Sequence, residues 1–280
     1  MREISCADIS ALVEQLCIQA ATVLPDDLCR VIEQAEKKEE SPVGKGILQD
    51  IVTNFQMAKE KGVPICQDTG MAVVFLEIGQ EVHITGGSLN DAINLGVHNG
   101  YLNGFLRCSV VGDPLRRQNT GDNTPAVIHT TIVPGDGFHI TVAPKGFGSE
   151  NMSAMRMFTP AAGWQDIEDW IVSSVSTAGS NPCPPVIVGV GLGGTIEQCA
   201  LEAKKALMMP MDTPNPDEFY GEKEQALLEH INRLGIGPQG MGGRITALAV
   251  RIRPYATHIA GLPCVVNMSC HVTRHASGGL

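Results

Sequence analysis

Three cysteines in polar, turn-forming segments constrain this chain most, because they lie far apart in the sequence. Cys66 begins the segment Cys-Gln-Asp-Thr-Gly, Cys183 lies between two prolines, and Cys270 ends the segment Asn-Met-Ser-Cys. A thiolate in a tight polar turn is available to a metal, and three such turns converge only in a folded core. The pattern indicates ligands of an iron-sulfur cluster and therefore a metalloenzyme.

The remaining cysteines carry weaker signals. Cys264 lies six residues before Cys270 and competes with it for a ligand role. No compact CxxC pair occurs, so the spacing excludes a zinc ribbon and a ferredoxin-type cluster run. Four cysteines fit small buried or half-buried positions in predicted helices: Cys6, Cys17, Cys29 and Cys199.

Composition narrows the class of protein. The chain has 280 residues, enough for a large core or for two lobes, and its 43% hydrophobic and 18% charged residues are typical of a globular protein. The net charge of −10 disfavours nonspecific binding to nucleic acid or to anionic membranes. We find no export signal and no uninterrupted run of about 18 apolar residues, and an odd count of nine cysteines favours reduced thiols. We therefore expect a cytoplasmic protein that binds neither nucleic acid nor membrane.

The pattern of apolar residues predicts an α+β (mixed α/β) fold, with a helical N-terminal third followed by mixed sheets and packed helices. We expect one catalytic domain over 1–280, with sub-lobes at about 1–160 and 161–280 around a cluster site. The segments 126–133 and 138–143 are predicted to form a hairpin across a Pro-Gly-Asp-Gly turn. Helices are predicted around 9–16 and over 25–40, 46–61, 88–101, 195–207 and 217–234, and a further helical pattern runs from residue 163 towards Cys183. Further strands are predicted over 71–78, 82–85, 186–190 and 245–252.

Six ordered motifs, spread over nearly the whole chain, resemble the class I, iron-sulfur-dependent fumarate hydratase and tartrate dehydratase family. They are Cys66–Gly70, Asn119–Gly121, Lys145–Asn151, Cys183–Pro185, Gly235–Gly240 and Met268–Cys270. The resemblance implies a hydro-lyase with a 4Fe-4S cluster held by three cysteines, so that the fourth iron keeps an open position for the substrate. The family's cluster cysteines correspond to Cys66, Cys183 and Cys270.

The resemblance also assigns substrate contacts. Gln67 and Asp68 match a polar pair that faces the substrate, and Asp68 and His258 match catalytic positions. Arg107 matches an arginine that binds a substrate carboxylate, and Gly148 offers a backbone amide. Each of these residues also has a purely structural interpretation. Asp68 fits a turn residue that bonds its own backbone, and Arg107 fits a surface charge. Gly148 fits a turn glycine, and His258 fits a structural histidine.

Single-chain members of the family continue into a C-terminal domain that completes the substrate site, so this chain resembles the alpha subunit of a two-subunit enzyme. We expect a separate beta subunit that supplies the proton-transferring base, an α2β2 assembly and a small dicarboxylate substrate. The Lys145–Asn151 loop is more similar to fumarases, which favours fumarate and malate. The alternative is the alpha subunit of L(+)-tartrate dehydratase.

Two other classes of function fit parts of the sequence. Gly189–Gly194 matches G-x-G-x-x-G between a predicted strand and a predicted helix, as in a nucleotide-binding Rossmann protein. No series of strand-helix units surrounds it, which disfavours that fold. A cysteine-nucleophile hydrolase needs a thiolate-histidine pair, which Cys270 and His271 do not establish as mere sequence neighbours.

Overall fold

The computed structural model describes residues 2–280, and its backbone groups into two compact units. Unit 1 comprises the chain up to Pro25, Asn54–Phe147 and Arg274–Leu280, and unit 2 comprises Asp26–Thr53 and Gly148–Thr273. Both units are discontinuous in the sequence. The sub-lobe boundary predicted near residue 160 stays a prediction.

Helices and strands alternate irregularly, and the predicted α+β class is confirmed. The helices are α1 (Cys6–Thr22), α2 (Asp26–Lys38), α3 (Pro42–Lys61), α4 (Leu89–Asn103), α5 (Phe147–Glu150), α6 (Trp164–Ala178), α7 (Ile196–Ala206) and α8 (Glu218–Asn232), with a short 3-10 turn at Pro238–Gly240. The strands are β1 (Arg2–Ser5), β2 (Met71–Gly79), β3 (Val82–Thr85), β4 (Val127–Val133), β5 (Phe138–Lys145), β6 (Ala154–Phe158), β7 (Val186–Gly193), β8 (Ala247–Tyr255), β9 (Leu262–Ser269) and β10 (Ala276–Gly279).

Unit 1 is built on a four-stranded sheet in the order β10-β5-β2-β4, and the predicted hairpin of β4 and β5 is wrong. Strand β2 lies between them, parallel to β4 and antiparallel to β5. The burial pattern explains this order, because β2 is mostly buried whereas β4 is mostly exposed and suits an edge. The Pro-Gly-Asp-Gly loop crosses the end of β2, where the N–H of Gly79 donates to the carbonyl of Gly137 at 2.7 Å.

Helices α1 and α4 pack closely because two glycines, one turn apart, lie on the contacting face of α4. A Cβ atom added at Gly96 would lie 2.6 Å from the carbonyl oxygen of Ser10, and one at Gly100 would lie 2.7 Å from the Cβ of Cys17. Apolar side chains of α1, α4, β2 and β5 then form one buried core, which includes Tyr101. The tight contact orients α4, which carries Tyr101.

Unit 2 is built on a second four-stranded sheet, in the order β6-β9-β7-β8. Strand β8 runs parallel to β7, whereas β9 is antiparallel to it. Alternate residues of β9 point to opposite faces: Val266 packs in a core with α6 and α8, and Val265 packs against α7. The sheet is therefore covered by helices on both faces.

The Gly189–Gly194 segment has a packing role in this sheet. A Cβ at Gly189 would lie 2.3 Å from the carbonyl oxygen of Ala203, and one at Gly191 would lie 2.0 Å from that of Cys199. These glycines let α7 lie directly on β7. Because β7 belongs to a mixed sheet rather than a doubly wound parallel one, the surroundings of the motif are not those of a Rossmann domain.

One helical stretch within residues 2–280, Cys6–Lys38, is long and apolar enough to span a membrane by length and composition. Half of its most apolar window is buried in the protein, and the stretch is interrupted where Val23–Pro25 separate α1 from α2. Both features are typical of core helices, so the stretch is weak support for a membrane span.

We expect Gly191→Ala to lower the free energy of unfolding by about 1–3 kcal/mol or more, because the added methyl group forces α7 away from β7. Gly46→Ala in α3 is the control: a Cβ there meets no atom within 4 Å, and alanine favours a helix over glycine by about 0.5–1 kcal/mol. Urea unfolding followed by circular dichroism measures both. Equal stabilities of the two variants would contradict the packing role.

Candidate functional site

The Cys66–Gly70 segment forms a tight turn that leads into β2 in unit 1. Cys66 is half-buried, and its thiol donates to Oε1 of the exposed Gln67 at 3.6 Å. Gly70 has φ = 79°, and a Cβ there would lie 2.8 Å from the carbonyl oxygen of Lys145 at the end of β5. Only glycine fits this backbone conformation and this close approach. The glycine of the motif is therefore a structural requirement of the turn.

Buried hydrogen bonds hold this turn in place. The hydroxyl of Tyr101 lies 2.9 Å from the carbonyl of Thr69 and 3.0 Å from that of Gly70. The side-chain amide of Asn123, which is fully buried, donates to the carbonyl of Gly70 at 3.0 Å, and its Oδ1 accepts from the N–H of Ser109 at 2.7 Å. Burial is the largest influence on Tyr101 and raises the pKa of its phenol far above the usual value. Tyr101 is thus a neutral donor.

Asp68 and Arg107, two of the predicted substrate contacts, are both tied to this turn. The carboxylate of Asp68 accepts from the N–H of Gly70 at 3.0 Å and from that of Phe147 at 2.9 Å. The hydroxyl of Thr69 accepts from the N–H of Arg107 at 2.9 Å and donates to its carbonyl at 3.0 Å. The guanidinium of Arg107 belongs to an exposed residue. Unit 1 therefore presents Gln67, Asp68 and Arg107 together with Cys66.

Cys183 lies in unit 2, in a strained and exposed turn. Its φ is 55°, a conformation that non-glycine residues rarely adopt and that marks functional sites. The next carbonyl, that of Pro184, accepts from both the N–H and the side-chain amide of Gln239, at 2.7 and 2.9 Å. The Gly235–Gly240 motif thus clamps the turn that carries Cys183.

Cys270 follows directly after β9 and is brought near Cys183 within unit 2. The Nδ1 of His271 lies 3.2 Å from the carbonyl of Cys183 and donates to it, because a carbonyl only accepts. Burial lowers the pKa of His271, and the hydrogen bond to Cys183 opposes this in part. The competing Cys264 lies inside β9, is fully buried, and has a pKa raised chiefly by burial. These surroundings favour Cys270 over Cys264 as a ligand.

Gly148, a predicted substrate contact, also lies beside the Cys183 turn. A Cβ at Gly148 would be 3.8 Å from the carbonyl of Asn181, an ordinary contact, so space does not require glycine there. The segment is fixed to β9 by Glu150, which accepts from Lys204 at 2.6 Å and from Asn267 at 2.7 Å. This network connects the Lys145–Asn151 motif with the strand that ends at Cys270.

The structure does not bring His258 next to Cys270. His258 is exposed in the turn before β9, and its Nδ1 accepts from the N–H of Ala260 at 3.1 Å. Cys270 follows the other end of the eight-residue strand, and a strand of that length spans about 24 Å. The catalytic role of His258 stays a prediction.

A cavity of about 800 Å³ in unit 2 is lined by α2, α8 and β8, and none of the predicted site residues borders it. The buried ion pair at its wall, Arg251 and Glu224 at 2.7 Å, is saturated by further hydrogen bonds. Among residues 2–280, no group of three or more His, Cys, Asp or Glu side chains is arranged to hold a metal ion. This cavity therefore does not coincide with the predicted site residues.

Comparison with known proteins supplies the family. A model described as Fumarate hydratase (Fumerase) matches residues 10–278. The chain belongs to the fumarate hydratase family. It is 39% identical over 274 residues to a protein of Methanocaldococcus jannaschii named putative L(+)-tartrate dehydratase subunit alpha, covering 96% of both chains. It is 29% identical over 272 residues to L(+)-tartrate dehydratase subunit alpha of Escherichia coli (strain K12) and of Shigella sonnei, covering 96% of this chain and 89% of each relative.

The cysteines of this fumarate hydratase family member fall into distinct classes. Burial is the main cause that raises the pKa of Cys17 to about 12 and that of Cys199 to about 11. Both are fully buried, as the sequence predicts, and buried thiols with a raised pKa are typically unreactive. The motif cysteines Cys66, Cys183 and Cys270 are half-buried or exposed. Thiolates are the donors that iron-sulfur clusters use, so the chemistry of these three side chains fits such a cluster.

The residues that hold the Cys66 turn have no role predicted from the sequence. Thr69 and Asn123 lie in or next to motifs, but Tyr101 lies outside them. A local signal for Asn123 exists, because it lies two residues after the Asn-Thr-Gly motif and two residues before Pro125, in a segment of turn-forming residues. Nothing local marks Tyr101, because its partners lie about thirty residues away.

We expect an alkylating reagent at pH 8 to modify Cys66, Cys183 and Cys270 of the metal-free chain and to spare Cys17 and Cys199. With a pKa of about 11, roughly one thousandth of Cys199 is thiolate at that pH, and its burial blocks access as well. Mass spectrometry of peptides measures the order of modification. Early labelling of Cys199 would contradict this assignment.

We expect Thr69→Val to lower the free energy of unfolding by about 1–3 kcal/mol, because it leaves the N–H and carbonyl of Arg107 without their hydroxyl partner. The matched control is Thr53→Val, whose hydroxyl bonds the Gln49 carbonyl at an exposed position and whose effect should stay within about 0.5 kcal/mol. Urea denaturation measures the difference. Similar effects of both substitutions would show that the Thr69 bridge is unimportant.

Proposed function

We propose that this chain is the alpha subunit of a two-subunit hydro-lyase that hydrates fumarate reversibly to (S)-malate. The observation that carries the proposal is the family match over residues 10–278, together with relatives named as alpha subunits that align over 96% of the chain. The Lys145–Asn151 loop supports fumarate as substrate. Its Phe147 amide bonds the Asp68 carboxylate, which connects the loop to the motif of Cys66.

The proposed cofactor is a 4Fe-4S cluster held by Cys66, Cys183 and Cys270. Access excludes Cys17, Cys199 and Cys264, which are fully buried, but Cys6, Cys29 and Cys108 are half-buried like Cys66 and Cys270. The choice among the accessible cysteines rests on the motifs. When bound, the cluster supplies one iron without a cysteine ligand, which acts as a Lewis acid towards the substrate.

The roles of the neighbouring residues follow from their chemistry. Arg107 carries an exposed guanidinium that suits a substrate carboxylate, and its backbone is fixed by Thr69. The carboxylate of Asp68 is oriented by two amides and can accept a proton or a hydroxyl hydrogen bond. Gln67 and the Gly148 amide are further substrate contacts in this proposal. We assign the main proton transfer to the beta subunit, and His258 stays a proposed catalytic residue near the substrate.

The proposal includes an α2β2 assembly in the cytoplasm. The alpha-subunit names of the relatives support a partner subunit. None of the nine cysteines, all of which lie within residues 2–280, forms a disulfide, as is usual in a reducing compartment. An accessible iron would require such a compartment as well.

L(+)-tartrate is the second candidate substrate, favoured by the names of the relatives. Tartrate carries one hydroxyl more than malate. An enzyme discriminates against such a group only where its polar contacts are matched or blocked. Part of that recognition would lie on the beta subunit.

The test is to isolate the tagged chain from its own cells without oxygen, together with any subunit that accompanies it. We expect a second polypeptide, iron and sulfide, and faster turnover of fumarate and malate than of L(+)-tartrate. Cys66→Ser, Cys183→Ser and Cys270→Ser should each lose most of the iron, whereas the control Cys6→Ser should keep it.

Each outcome addresses a different part of the proposal. Faster turnover of tartrate would replace fumarate by the second candidate. Full activity of the alpha chain alone, with its cluster reconstituted, would disprove the need for a beta subunit. Unchanged iron content in all three cysteine variants would disprove the ligand set.

A further inference from the structure

Phe105 is an aromatic residue in a strained backbone conformation, and its side chain packs on almost nothing within residues 2–280. It directly follows Gly104, the C-cap of α4, and has φ = 52°. The residue is 91% exposed. A positive φ is an outlier for a bulky side chain, because the Cβ atom then crowds the following carbonyl oxygen. Phe105 therefore combines a strained backbone with a ring that is exposed to water.

The strain of Phe105 arises from the way α4 ends. The N–H of Leu106 donates to the carbonyl of Tyr101 at 2.9 Å. The N–H of Phe105 donates to the carbonyl of Leu102 at 3.3 Å. These two bonds form a Schellman motif, whose left-handed position is usually glycine. Because Leu106 and Tyr101 are both buried in the core of unit 1, the fold imposes the left-handed conformation on Phe105.

The end of α3 provides a comparison within unit 1. There the N–H of Val63 donates to the carbonyl of Ala58 at 3.1 Å, and the left-handed residue is Gly62, with φ = 64°. Glycine has the lowest energy in this conformation, and a side chain there would point into open space, since a Cβ at Gly62 meets no atom within 4 Å. A phenyl ring at the equivalent position of α4 therefore indicates a role for that ring outside the packing of the chain itself.

Two further exposed apolar side chains lie along α4. Leu102, in the last turn of the helix, is 45% exposed, and Leu95 is 53% exposed. Residues seven positions apart lie on nearly the same side of a helix, so these two leucines form a stripe that runs towards the end of α4 at Phe105. A group of exposed apolar side chains is typical of a protein–protein contact, whereas a single one is not. We call Leu95, Leu102 and Phe105 the α4 surface.

We propose that the α4 surface is part of the contact with the beta subunit, and that Phe105 is the anchor that fills an apolar pocket of that subunit. The inference rests on the proposed function, in which the beta subunit completes the substrate site. Phe105 lies two residues before Arg107, the proposed ligand of a substrate carboxylate, so their Cα atoms are at most about 7 Å apart. A subunit that closes over the exposed Arg107 side chain reaches Phe105 as well.

The link to the substrate site favours this occupant over a second copy of the alpha chain, because in the proposed function the beta subunit is the one that completes that site. The hydroxyl of Thr69 bonds both the N–H and the carbonyl of Arg107, at 2.9 and 3.0 Å. Phe105 is therefore held close to the Cys66 turn before any partner binds. An anchor that is already ordered loses little conformational entropy on binding, and aromatic anchors dominate the binding energy of many interfaces.

The test uses Phe105→Gly, which has opposite expected effects on the chain and on the complex. Glycine removes the backbone strain, so the urea midpoint of the full alpha chain without its partner should rise. The complex should dissociate at an about thirtyfold higher concentration, as is typical for the loss of an aromatic anchor. Phe105→Ala removes the ring but keeps the strained backbone, so it should weaken the complex without raising the urea midpoint.

Each tagged variant is isolated without oxygen from its own cells together with the second polypeptide, which mass spectrometry identifies. Sedimentation velocity over a dilution series then gives the concentration at which half of the complex dissociates. The control is Ile132→Ala, which truncates a side chain that is 73% exposed in β4, and it should leave that concentration unchanged. Turnover by the undissociated complex should equal that of the wild type in all variants, because Phe105 is an anchor and does not touch the substrate.

The outcomes distinguish the inference from the proposed function. If the wild-type and Phe105→Gly complexes dissociate at the same concentration, the inference is overturned and the two-subunit function stands. If Phe105→Gly weakens association between alpha chains but not the contact with the second polypeptide, the α4 surface binds a second copy, which also overturns the inference. A wild-type chain that is fully active without a second polypeptide overturns the proposed two-subunit function and the inference with it.

Discussion

The hydrogen bonds that bind the carbonyls of Thr69 and Gly70 hold the turn on which the proposed chemistry of unit 1 depends. Tyr101 and Asn123 supply them from the interior, and the side chain of Asn123 also fixes the strand-like segment after Arg107. A buried carbonyl without a partner costs about 1–3 kcal/mol. The donors therefore enforce one conformation of the turn, and Cys66, Asp68 and Arg107 take their positions from it.

In unit 2, the turn that carries Cys183 is also held in one conformation, but its backbone is strained. Cys183 and Gln239 both have positive φ, and such strain persists only where the surroundings over-determine the backbone. Here Gln239 donates twice to the carbonyl of Pro184, and His271 donates to that of Cys183. Polar donors thus fix the carbonyls beside a candidate ligand in both units.

Much of the fold could be predicted from local patterns. The helices α1, α4, α6, α7 and α8 lie where apolar periodicity and caps place them, and the side chain of Ser88 caps α4 as expected. Strand pairing could not be predicted in this way, as the wrong hairpin of β4 and β5 illustrates. Strand β10 was missed because its Ala-Ser-Gly-Gly sequence has no intrinsic strand preference and it forms by pairing with β5.

The sequence motifs alone establish the family resemblance and the choice of Cys66, Cys183 and Cys270. They do so because they combine particular residue types in a fixed order along the chain. The full burial of Cys264, the position of His258 beyond the far end of β9 and the strained, exposed position of Phe105 emerge only from the folded chain. Burial and hydrogen bonding depend on residues distant in sequence. No local pattern encodes which groups those residues leave without a partner.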